Sequence, residues 1–446
     1  MMKKSFLFQF TSICSFLISF QIFPQQFNPP EWSYNKSIYE VNIRQYTIEG
    51  TFKAFEKHLP GLKDLGADIL WLMPIHPIGE KNRKGSLGSY YSVKDYKAVN
   101  PEFGTLQDFK TLVNEIHKKG MYVIIDWVAN HTSWDNNWMT EHPEYYTKDS
   151  VGNIIPPVPD WSDVADLNYE NKDLRKEMIA ALKFWVEECD LDGYRCDVAG
   201  MVPIEFWIEA RTELEKIKNV FMLAEWETPE IHQVFDMTYD WTLHRIMNGI
   251  AKKEKTVDDL IAHLKKDKEE YPANAFRMQF TSNHDENSWN GTEFERLGDG
   301  AEAFAVLTCL IPGMPLIYTG QETGNQKRFS FFDKDTVEWK EHKFFDIYSK
   351  LFQLKKDNKA LYNGVRGGEL IVISNSDQKN VFSFSRSSGE DKVIAIFNLS
   401  DSIQEFEIDS EVLQGSYMHF FTGMPETFSS KESFKLNPRE YRVYVK

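Results

Sequence analysis

Cysteine is scarce in this chain of 446 residues, and the four present are Cys14, Cys189, Cys196 and Cys309. So few cysteines, without a short Cys-x-x-Cys spacing, exclude a disulfide-built scaffold and a cysteine-ligated zinc site. The HxH and HExxH patterns of histidine metal centres are absent as well. The last three cysteines lie in apolar or strand-like settings, which predicts buried free thiols.

Positive charge is also in deficit. Lys and Arg number 51 against 67 Asp and Glu, which gives a net charge of −16. An anionic surface repels phosphate backbones, so we expect no nucleic-acid partner, whereas a neutral substrate would feel no such field. Internal repeats and low-complexity tracts are lacking, and 42% apolar residues suffice for a sizeable core. The composition therefore predicts an ordinary globular protein.

The N-terminus has the pattern of an export signal. A basic start, Met1 to Lys4, precedes an uncharged stretch rich in Phe, Leu and Ile that Pro24 closes. We therefore predict a signal peptide over residues 1–25 and a periplasmic or secreted protein. A membrane anchor is less favoured because polar residues interrupt the run, and a lipid anchor at Cys14 because the run continues past it.

Apolar runs and amphipathic segments alternate along most of the chain, which predicts a parallel sheet. About eight such units indicate a closed (β/α)8 TIM barrel over residues 26–358. The predicted strands are Ser37–Tyr46, Asp68–Pro74, Met121–Val128, Leu191–Val198, Val220–Trp226, Phe235–Trp241, Ala275–Asn283 and Pro315–Tyr318.

Two other segments depart from this alternation. Residues 129–168 are polar, rich in Trp and Pro and without helical period, which predicts an inserted lobe after the third strand. Residues 359–446 alternate apolar and polar side chains, which predicts a C-terminal antiparallel β-sandwich domain. Among the helices, Thr105 and Asp108 form a capping-box pattern, and Pro60 is expected to kink a helix that starts near Phe52.

Carboxylates stand at or just beyond the C-terminal ends of four of the predicted strands: Asp126, Asp197, Glu225 and Asp285. A single acid at a strand end is often only a helix cap, but four at the active-site end of a barrel predict chemistry. Paired carboxylates are what glycoside hydrolysis requires. Arg195 lies two residues before Asp197 on the same strand face and favours its ionised form, as a nucleophile needs. Glu225 stands among apolar neighbours, which suits a general acid.

Several motifs together resemble the α-amylase family (glycoside hydrolase family 13), from about Ser37 to the C-terminus. They are Asp126-Trp-Val-Ala-Asn130-His131, Gly193-Tyr-Arg195-Cys-Asp197, Glu225 and Asn283-His284-Asp285, in the family's order and spacing.

The resemblance implies a role for each residue of the site. Asp197 would be the nucleophile, Glu225 the acid and then the base, and Asp285 the stabiliser of the distorted sugar. The Asp197 and Glu225 carboxyl groups should then lie roughly 5–5.5 Å apart. The remaining implied residues are Arg195, which holds Asp197; His131 and His284, which hydrogen-bond the sugar; Tyr91, which stacks on it; and Asp126, a structural support.

Two departures from the family pattern affect these expectations. Gly200 and Met201 stand where many members carry a Lys-His pair that binds the leaving group. Asn168 stands where calcium-binding members often carry Asp. The chemistry requires no cofactor, but Asn130 matches a family calcium ligand, so it is either a ligand of a structural calcium ion or a hydrogen-bonding scaffold residue. Among the tryptophans, Trp226 beside Glu225 is the best candidate for a functional role.

The expected function is retaining hydrolysis of α-1,4-glucosidic bonds in starch-like glucans, by a monomer of the α-amylase type. The alternatives are a cyclodextrinase or neopullulanase, or an α-glucan transglycosylase. A non-catalytic glucan-binding protein is less favoured, since such proteins typically lose catalytic carboxylates and all three are retained here.

Overall fold

The computed structural model describes residues 27–446. The predicted signal segment and Cys14 therefore lie outside the described residues. Within residues 27–446, no helix is both long and apolar enough to cross a membrane.

Strands and helices alternate through most of the barrel, whereas β11 to β18 follow one another without an intervening helix. The strands are β1 (Ile38–Val41), β2 (Ile69–Leu72), β3 (Tyr122–Trp127), β4 (His131–Ser133), β5 (Val164–Asp166), β6 (Gly193–Cys196), β7 (Phe221–Ala224), β8 (Met237–Tyr239), β9 (Phe276–Gln279), β10 (Met314–Tyr318), β11 (Leu370–Val372), β12 (Val381–Ser388), β13 (Asp391–Asn398), β14 (Gln404–Asp409), β15 (Gly415–His419), β16 (Pro425–Phe428), β17 (Lys431–Leu436) and β18 (Tyr441–Val445). The helices are α1 (Ile43–Tyr46), α2 (Phe52–Glu56), α3 (Leu59–Leu65), α4 (Leu106–Lys118), α5 (Trp138–Glu141), α6 (Lys172–Cys189), α7 (Ile204–Leu214), α8 (Trp241–Ala251), α9 (Val257–Glu270), α10 (Glu293–Leu297), α11 (Ala301–Leu310) and α12 (Lys343–Asp357).

Eight parallel strands close into a barrel in the order β1-β10-β9-β8-β7-β6-β3-β2, which confirms the predicted fold class. Each predicted strand overlaps one of them. Their apolar runs are explained by burial on both faces, because one face fills the barrel and the other packs against the helices. The interior cluster includes Ile38, Trp71, Ile124, Leu223 and Met278.

Some predicted elements are shorter than expected. The first strand ends at Val41, because the side chain of Asn42 accepts a hydrogen bond from the Gln45 backbone N–H and begins α1 there. The predicted kinked helix is two helices, α2 and α3, with Pro60 in the first turn of α3, where its missing N–H is tolerated. The capping box of Thr105 and Asp108 is confirmed.

The two segments outside the alternation contain antiparallel sheet. Residues 129–168 hold the pair β4-β5 and the single helical turn α5. The chain beyond residue 359 forms a six-stranded sheet, β11-β12-β13-β18-β15-β16, and a two-stranded sheet, β14-β17. Cys189, Cys196 and Cys309 are buried free thiols, as predicted.

Candidate active site

Side chains alternate between the two faces of a strand, and this alternation places several polar side chains in the upper part of the barrel interior. Ile38 and Ile124 fill the barrel interior, so Glu40 and Asp126, two residues further along the same strands, face the same side. Arg195 is paired with Asp126 in register on the neighbouring strands β6 and β3. All three side chains are fully buried. The sequence thus places ionised groups just below the mouth of the barrel.

Arg195 is the centre of the site, because three carboxylates surround its guanidinium. Nη1 donates to Asp126 Oδ1 at 2.8 Å and to Asp197 Oδ1 at 2.9 Å. Nη2 lies 2.9 Å from Glu225 Oε2, although among the described residues it has no acceptor aligned for a hydrogen bond. Buried charges are tolerated only when they are paired. The guanidinium of Arg195 therefore holds the carboxylates of Asp197 and Glu225 beside each other.

Burial raises the pKa of each carboxyl group around Arg195. The pKa of Asp197 is raised to about 6 and that of Glu225 to about 7, chiefly by desolvation, while Arg195 pulls both down in part. Glu225 also accepts a hydrogen bond from the Val198 backbone N–H at 2.8 Å. The more readily protonated group is therefore the one that sequence analysis assigns as the acid.

Asp126 has no solvent exposure and three donors. Besides Arg195, Trp71 Nε1 at 3.3 Å and the Tyr91 hydroxyl at 3.1 Å both donate to its Oδ2. These contacts agree with the structural support expected of this residue. Trp71 was not identified from the sequence, since an apolar strand gives no sign of where an indole N–H points.

His284 connects the barrel wall to the open cavity. Its Nδ1 lies 2.5 Å from Glu40 Oε1, and its Nε2 lies 2.8 Å from the Tyr91 hydroxyl and 3.4 Å from Asp285 Oδ2. Burial opposes its charge, but Asp285 and Glu40 outweigh burial and raise the pKa of His284 to about 9. The imidazolium can therefore donate from both nitrogens. Glu40 was missed in the sequence, where one charge inside an apolar strand was its only signal.

A cavity of about 410 Å³ opens above these groups, within the size range of ligand pockets. Asp285 projects into it with about a third of its side chain exposed. The cavity brings together most of the predicted site residues, and its lining includes Tyr91, His131, Asp197, Glu225, His284 and Asp285. Its rim adds residues not predicted for the site, Lys84, Phe331 and Phe332.

Trp226 does not line this cavity. Its indole lies against Gly200, where any side-chain carbon would overlap the ring. The glycine that replaces the family's lysine therefore provides the space for this tryptophan. The tryptophan singled out as the best candidate for a functional role is, in the described structure, a packing neighbour of the acid-bearing segment.

The candidate calcium donors already have other partners. Asn130 Oδ1 lies 3.2 Å from His131 Nδ1, and the Asn168 side chain accepts from the Glu170 backbone N–H at 3.0 Å. Burial lowers the pKa of His131 to about 3, so it is neutral at pH 7 and donates its Nδ1–H to the Asn130 amide oxygen. Neutral amides with satisfied oxygens do not fit a dedicated calcium site, which favours the scaffold interpretation of Asn130.

Within residues 27–446, one group of three potential metal ligands occurs, formed by Asp240, His263 and Asp267. Arg277 lies 3.5 Å from Asp240 and 3.0 Å from Asp267, and His263 lies 2.9 Å from Asp240. Arg277 and His263 already pair with the carboxylates of Asp240 and Asp267, so we interpret the group as an ion-pair cluster.

Known proteins resemble the chain over nearly its whole length. The sequence profile of the alpha amylase catalytic domain matches residues 21–153 and 159–359. A noncanonic maltogenic alpha-amylase from Thermotoga neapolitana superposes with a TM-score of 0.85 and 31% identity, over 92% of this chain and 98% of that one. Alpha-amylase 3 of Dictyoglomus thermophilum is 24% identical over 94% of this chain and 95% of its own. A cyclomaltodextrinase of Geobacillus thermopakistaniensis is 23% identical over 91% and 72%.

Proposed function

The chain belongs to the alpha-amylase family of glycoside hydrolases, and from that membership we propose that it cleaves the α-1,4-glucosidic bonds of starch-like glucans and maltooligosaccharides with retention of configuration. The observation that carries the proposal is the guanidinium of Arg195, which holds Asp197 and Glu225 side by side at the floor of an open cavity.

The first step requires one ionised and one protonated carboxyl group. Asp197 attacks the anomeric carbon and forms a glycosyl ester while the glycosidic C–O bond breaks. Glu225 transfers its proton to the departing oxygen, which leaves as the hydroxyl of the shortened chain. The order of the two pKa values, about 6 for Asp197 and about 7 for Glu225, suits this division of roles.

The second step reverses the proton transfer. Glu225, now a carboxylate, removes a proton from water, whose oxygen attacks the same carbon as the bond to Asp197 breaks. Asp285, at the cavity wall, accepts hydrogen bonds from sugar hydroxyls. The protonated His284 donates a hydrogen bond toward the same sugar from Nε2. Two displacements restore the α configuration.

The test is the release of reducing ends from soluble starch by the purified protein and by Glu225→Gln. The amide keeps the shape of the side chain but has no proton to give. We expect activity in the parent protein and a loss of about 100-fold or more in the variant, since general acid catalysis contributes about that much. Release that is equal in the two proteins would refute the role of Glu225.

A cyclodextrinase is the second candidate, supported by the similarity to a cyclomaltodextrinase. Comparing rates on β-cyclodextrin, pullulan and starch at equal mass concentration distinguishes the two. A rate on β-cyclodextrin that exceeds the rate on starch would favour this candidate.

Export and a monomeric state are also part of the proposal. Residues 1–25 have the composition of a signal peptide. Sequencing the N-terminus of the protein recovered from periplasm or medium would test removal of that segment. Light scattering of the purified protein would test the monomer.

A further inference from the structure

Two loops meet beside β1 at one side of the barrel mouth. The loop after β2 presents the Ser86 backbone N–H and hydroxyl, which donate to Asp333 Oδ1 of the loop after β10 at 2.8 and 2.5 Å. The Leu87 backbone N–H donates to the Phe332 carbonyl at 3.0 Å. A side-chain carbon at Gly85 would overlap Phe332, so the two backbones are in close contact. The loops therefore form one continuous barrier.

Helix α1, directly after β1, fixes both loops from below. The Arg44 guanidinium donates to the Gly88 carbonyl at 3.1 Å in the first loop and reaches the Phe331 carbonyl at 3.5 Å in the second. Gln45 Nε2 donates to the Ser330 and Asp333 carbonyls at 2.9 and 3.0 Å. Buried side chains with several backbone partners make this barrier a fixed part of the fold.

The barrier continues on both sides. Toward the lobe, Lys84 Nζ donates to the Asp160 carbonyl at 2.7 Å and pairs with Asp163 at 3.0 Å. Toward β9, the ring of Trp289 packs on Phe331 and Phe332 with centroid distances of 5.1 and 5.8 Å. We call Lys84–Gly88, Ser330–Asp333 and Trp289 together the glycone wall.

The wall lies on the side of the site opposite the acid. Strand order places β9, β10, β1 and β2 next to one another, and the wall is built on the loops of this sector. Glu225 and Asp197 follow β7 and β6, in the other half of the ring. In the proposed reaction the leaving chain lies beyond Glu225, so the retained sugars extend past Asp285 toward Trp289 and Phe331.

We propose that the glycone wall closes the donor end of the cleft, so that the enzyme engages glucan chains by their non-reducing ends and releases short oligosaccharides from them. This inference rests on the proposed hydrolase function and adds the mode of attack. Lys84, Trp289, Phe331 and Phe332 line the cavity of about 410 Å³ on this side. An internal segment of a glucan would have to continue through these side chains, which the Ser86–Asp333 and Leu87–Phe332 bonds hold in place from behind.

The test compares two p-nitrophenyl maltoheptaosides, one with a free non-reducing end and one whose terminal sugar carries a 4,6-O-ethylidene cap. We expect the purified protein to cleave the capped compound at least about 100-fold more slowly, near the upper range of discrimination by pocket shape. β-Cyclodextrin, which has no end, should resist as well. Equal rates on the two heptaosides would refute the proposed role of the glycone wall but would leave the proposed hydrolase function supported. If both heptaosides and starch stay uncut, the proposed function fails, and the inference with it.

A variant pair tests the wall itself. Asp333→Ala removes the side-chain acceptor of both Ser86 hydrogen bonds between the two loops and leaves the Leu87–Phe332 backbone bond, whereas Glu338→Ala removes an exposed acid from the same loop outside the wall. We expect Asp333→Ala to raise the ratio of capped to uncapped cleavage by about 10-fold and Glu338→Ala to leave the ratio unchanged. A ratio that Asp333→Ala does not change in a folded protein, as judged by circular dichroism, would contradict the wall's role.

Discussion

Arg195 is shared by three buried carboxylates, and this sharing links the protonation of each group to that of the others. Desolvation raises the pKa values of Asp126, Asp197 and Glu225, and the single guanidinium lowers all three in part. A proton that binds one carboxylate therefore changes the affinity of its neighbours, and the apparent pKa values belong to the set. These three coupled carboxyl groups and Arg195 therefore set the pH dependence of the enzyme.

The first prediction is a bell-shaped dependence of kcat/KM on pH, set jointly by the carboxyl groups around Arg195. Desolvation raises the pKa values of Asp197 and Glu225 above those of free carboxyl groups, so both limbs should lie at correspondingly higher pH. Activity should fall toward acid as the nucleophile takes up a proton and toward alkali as the acid loses its proton.

Steady-state rates on a maltooligosaccharide across pH 4 to 9 would show both limbs. With α-maltosyl fluoride, whose leaving group needs no proton, the alkaline limb should flatten. An alkaline limb that persists unchanged on the fluoride would assign that limb to another group.

Gly200→Ala gives the second prediction. A methyl group at this position overlaps the Trp226 indole, and Trp226 adjoins the acid Glu225. A displacement on the order of 1 Å at a catalytic group can lower kcat by about 10- to 100-fold. We expect a loss in that range without unfolding.

Gly61→Ala is the control, since nothing lies within 4 Å of the added carbon in helix α3. Both variants would be compared by kcat and by thermal melting. Full activity of Gly200→Ala would show that Trp226 can move without disturbing Glu225.

At the element scale, the N-terminal end of helix α4 can be predicted directly from the sequence. The Thr105 side chain accepts from the Asp108 N–H at 3.2 Å, and the Asp108 side chain accepts from the Thr105 N–H at 3.0 Å. That backbone hydrogen bond is the main reason that the pKa of Asp108 is lowered to about 2. Local patterns of this kind are predictable because every partner lies within four residues.

The third prediction is that Thr105→Ala lowers the free energy of unfolding by about 1 kcal/mol, the usual contribution of an N-cap. Thr111→Ala, on the exposed face of the same helix, should cost less, because among residues 27–446 its hydroxyl bonds only the Gln107 carbonyl. Urea unfolding midpoints and starch hydrolysis measure stability and activity separately. Equal midpoints for the two variants, or a loss of activity confined to Thr105→Ala, would contradict a purely local role.

Other elements could be predicted only in part. The apolar runs located all eight barrel strands, because strands buried on both faces leave an unmistakable pattern. The same patterns overextended the first strand past Asn42, since its capping bond to Gln45 is invisible to hydrophobicity. Phe331 and Phe332 were missed because their place at the site depends on loops that meet only when the ring of strands closes.

At the scale of the whole molecule, strand β13 joins the barrel to the C-terminal sheets. Val393, Ala395 and Phe397 on one face belong to the large hydrophobic cluster that also surrounds the barrel. Ile394 and Ile396, on the other face, belong to the core between the two C-terminal sheets. The alternation of side chains along one strand thus joins both cores, which predicts that the two parts unfold together.

The fourth prediction concerns Arg386, a buried residue on β12 at this junction. Its guanidinium donates to the Leu310 and Ile311 carbonyls at 3.0 Å and to the Gly368 and Tyr362 carbonyls at 3.0 and 3.1 Å. Arg386→Ala leaves these acceptors without their donor, and we expect it to lower the free energy of unfolding by roughly 3 kcal/mol or more.

Arg442→Ala, at a half-buried arginine of the same sheet, is the matched control and should cost less than about 1 kcal/mol. Urea unfolding followed by fluorescence and by residual activity would compare the two. A two-step transition in the parent protein, with activity surviving the first step, would show that the two parts unfold independently.

The chemistry of the site was the most predictable feature of the molecule, because Asp126, Asp197, Glu225 and Asp285 each lie near the C-terminal end of a recognisable strand. The contacts among them were not predictable, because the sharing of Arg195 arises from the register of β3 against β6. The assignment of Asp197 as nucleophile is the claim on which the mechanism depends.

The most direct measurement of that claim is to incubate Glu225→Gln with α-maltosyl fluoride and map the adduct by mass spectrometry. Fluoride leaves without an acid, and the missing base slows hydrolysis of the ester, so the intermediate should accumulate. The account predicts that the peptide containing Asp197 gains the mass of one maltosyl residue, and that Asp197→Asn gains none. A maltosyl group on any other residue, or turnover of the fluoride by Asp197→Asn at the parental rate, would contradict it.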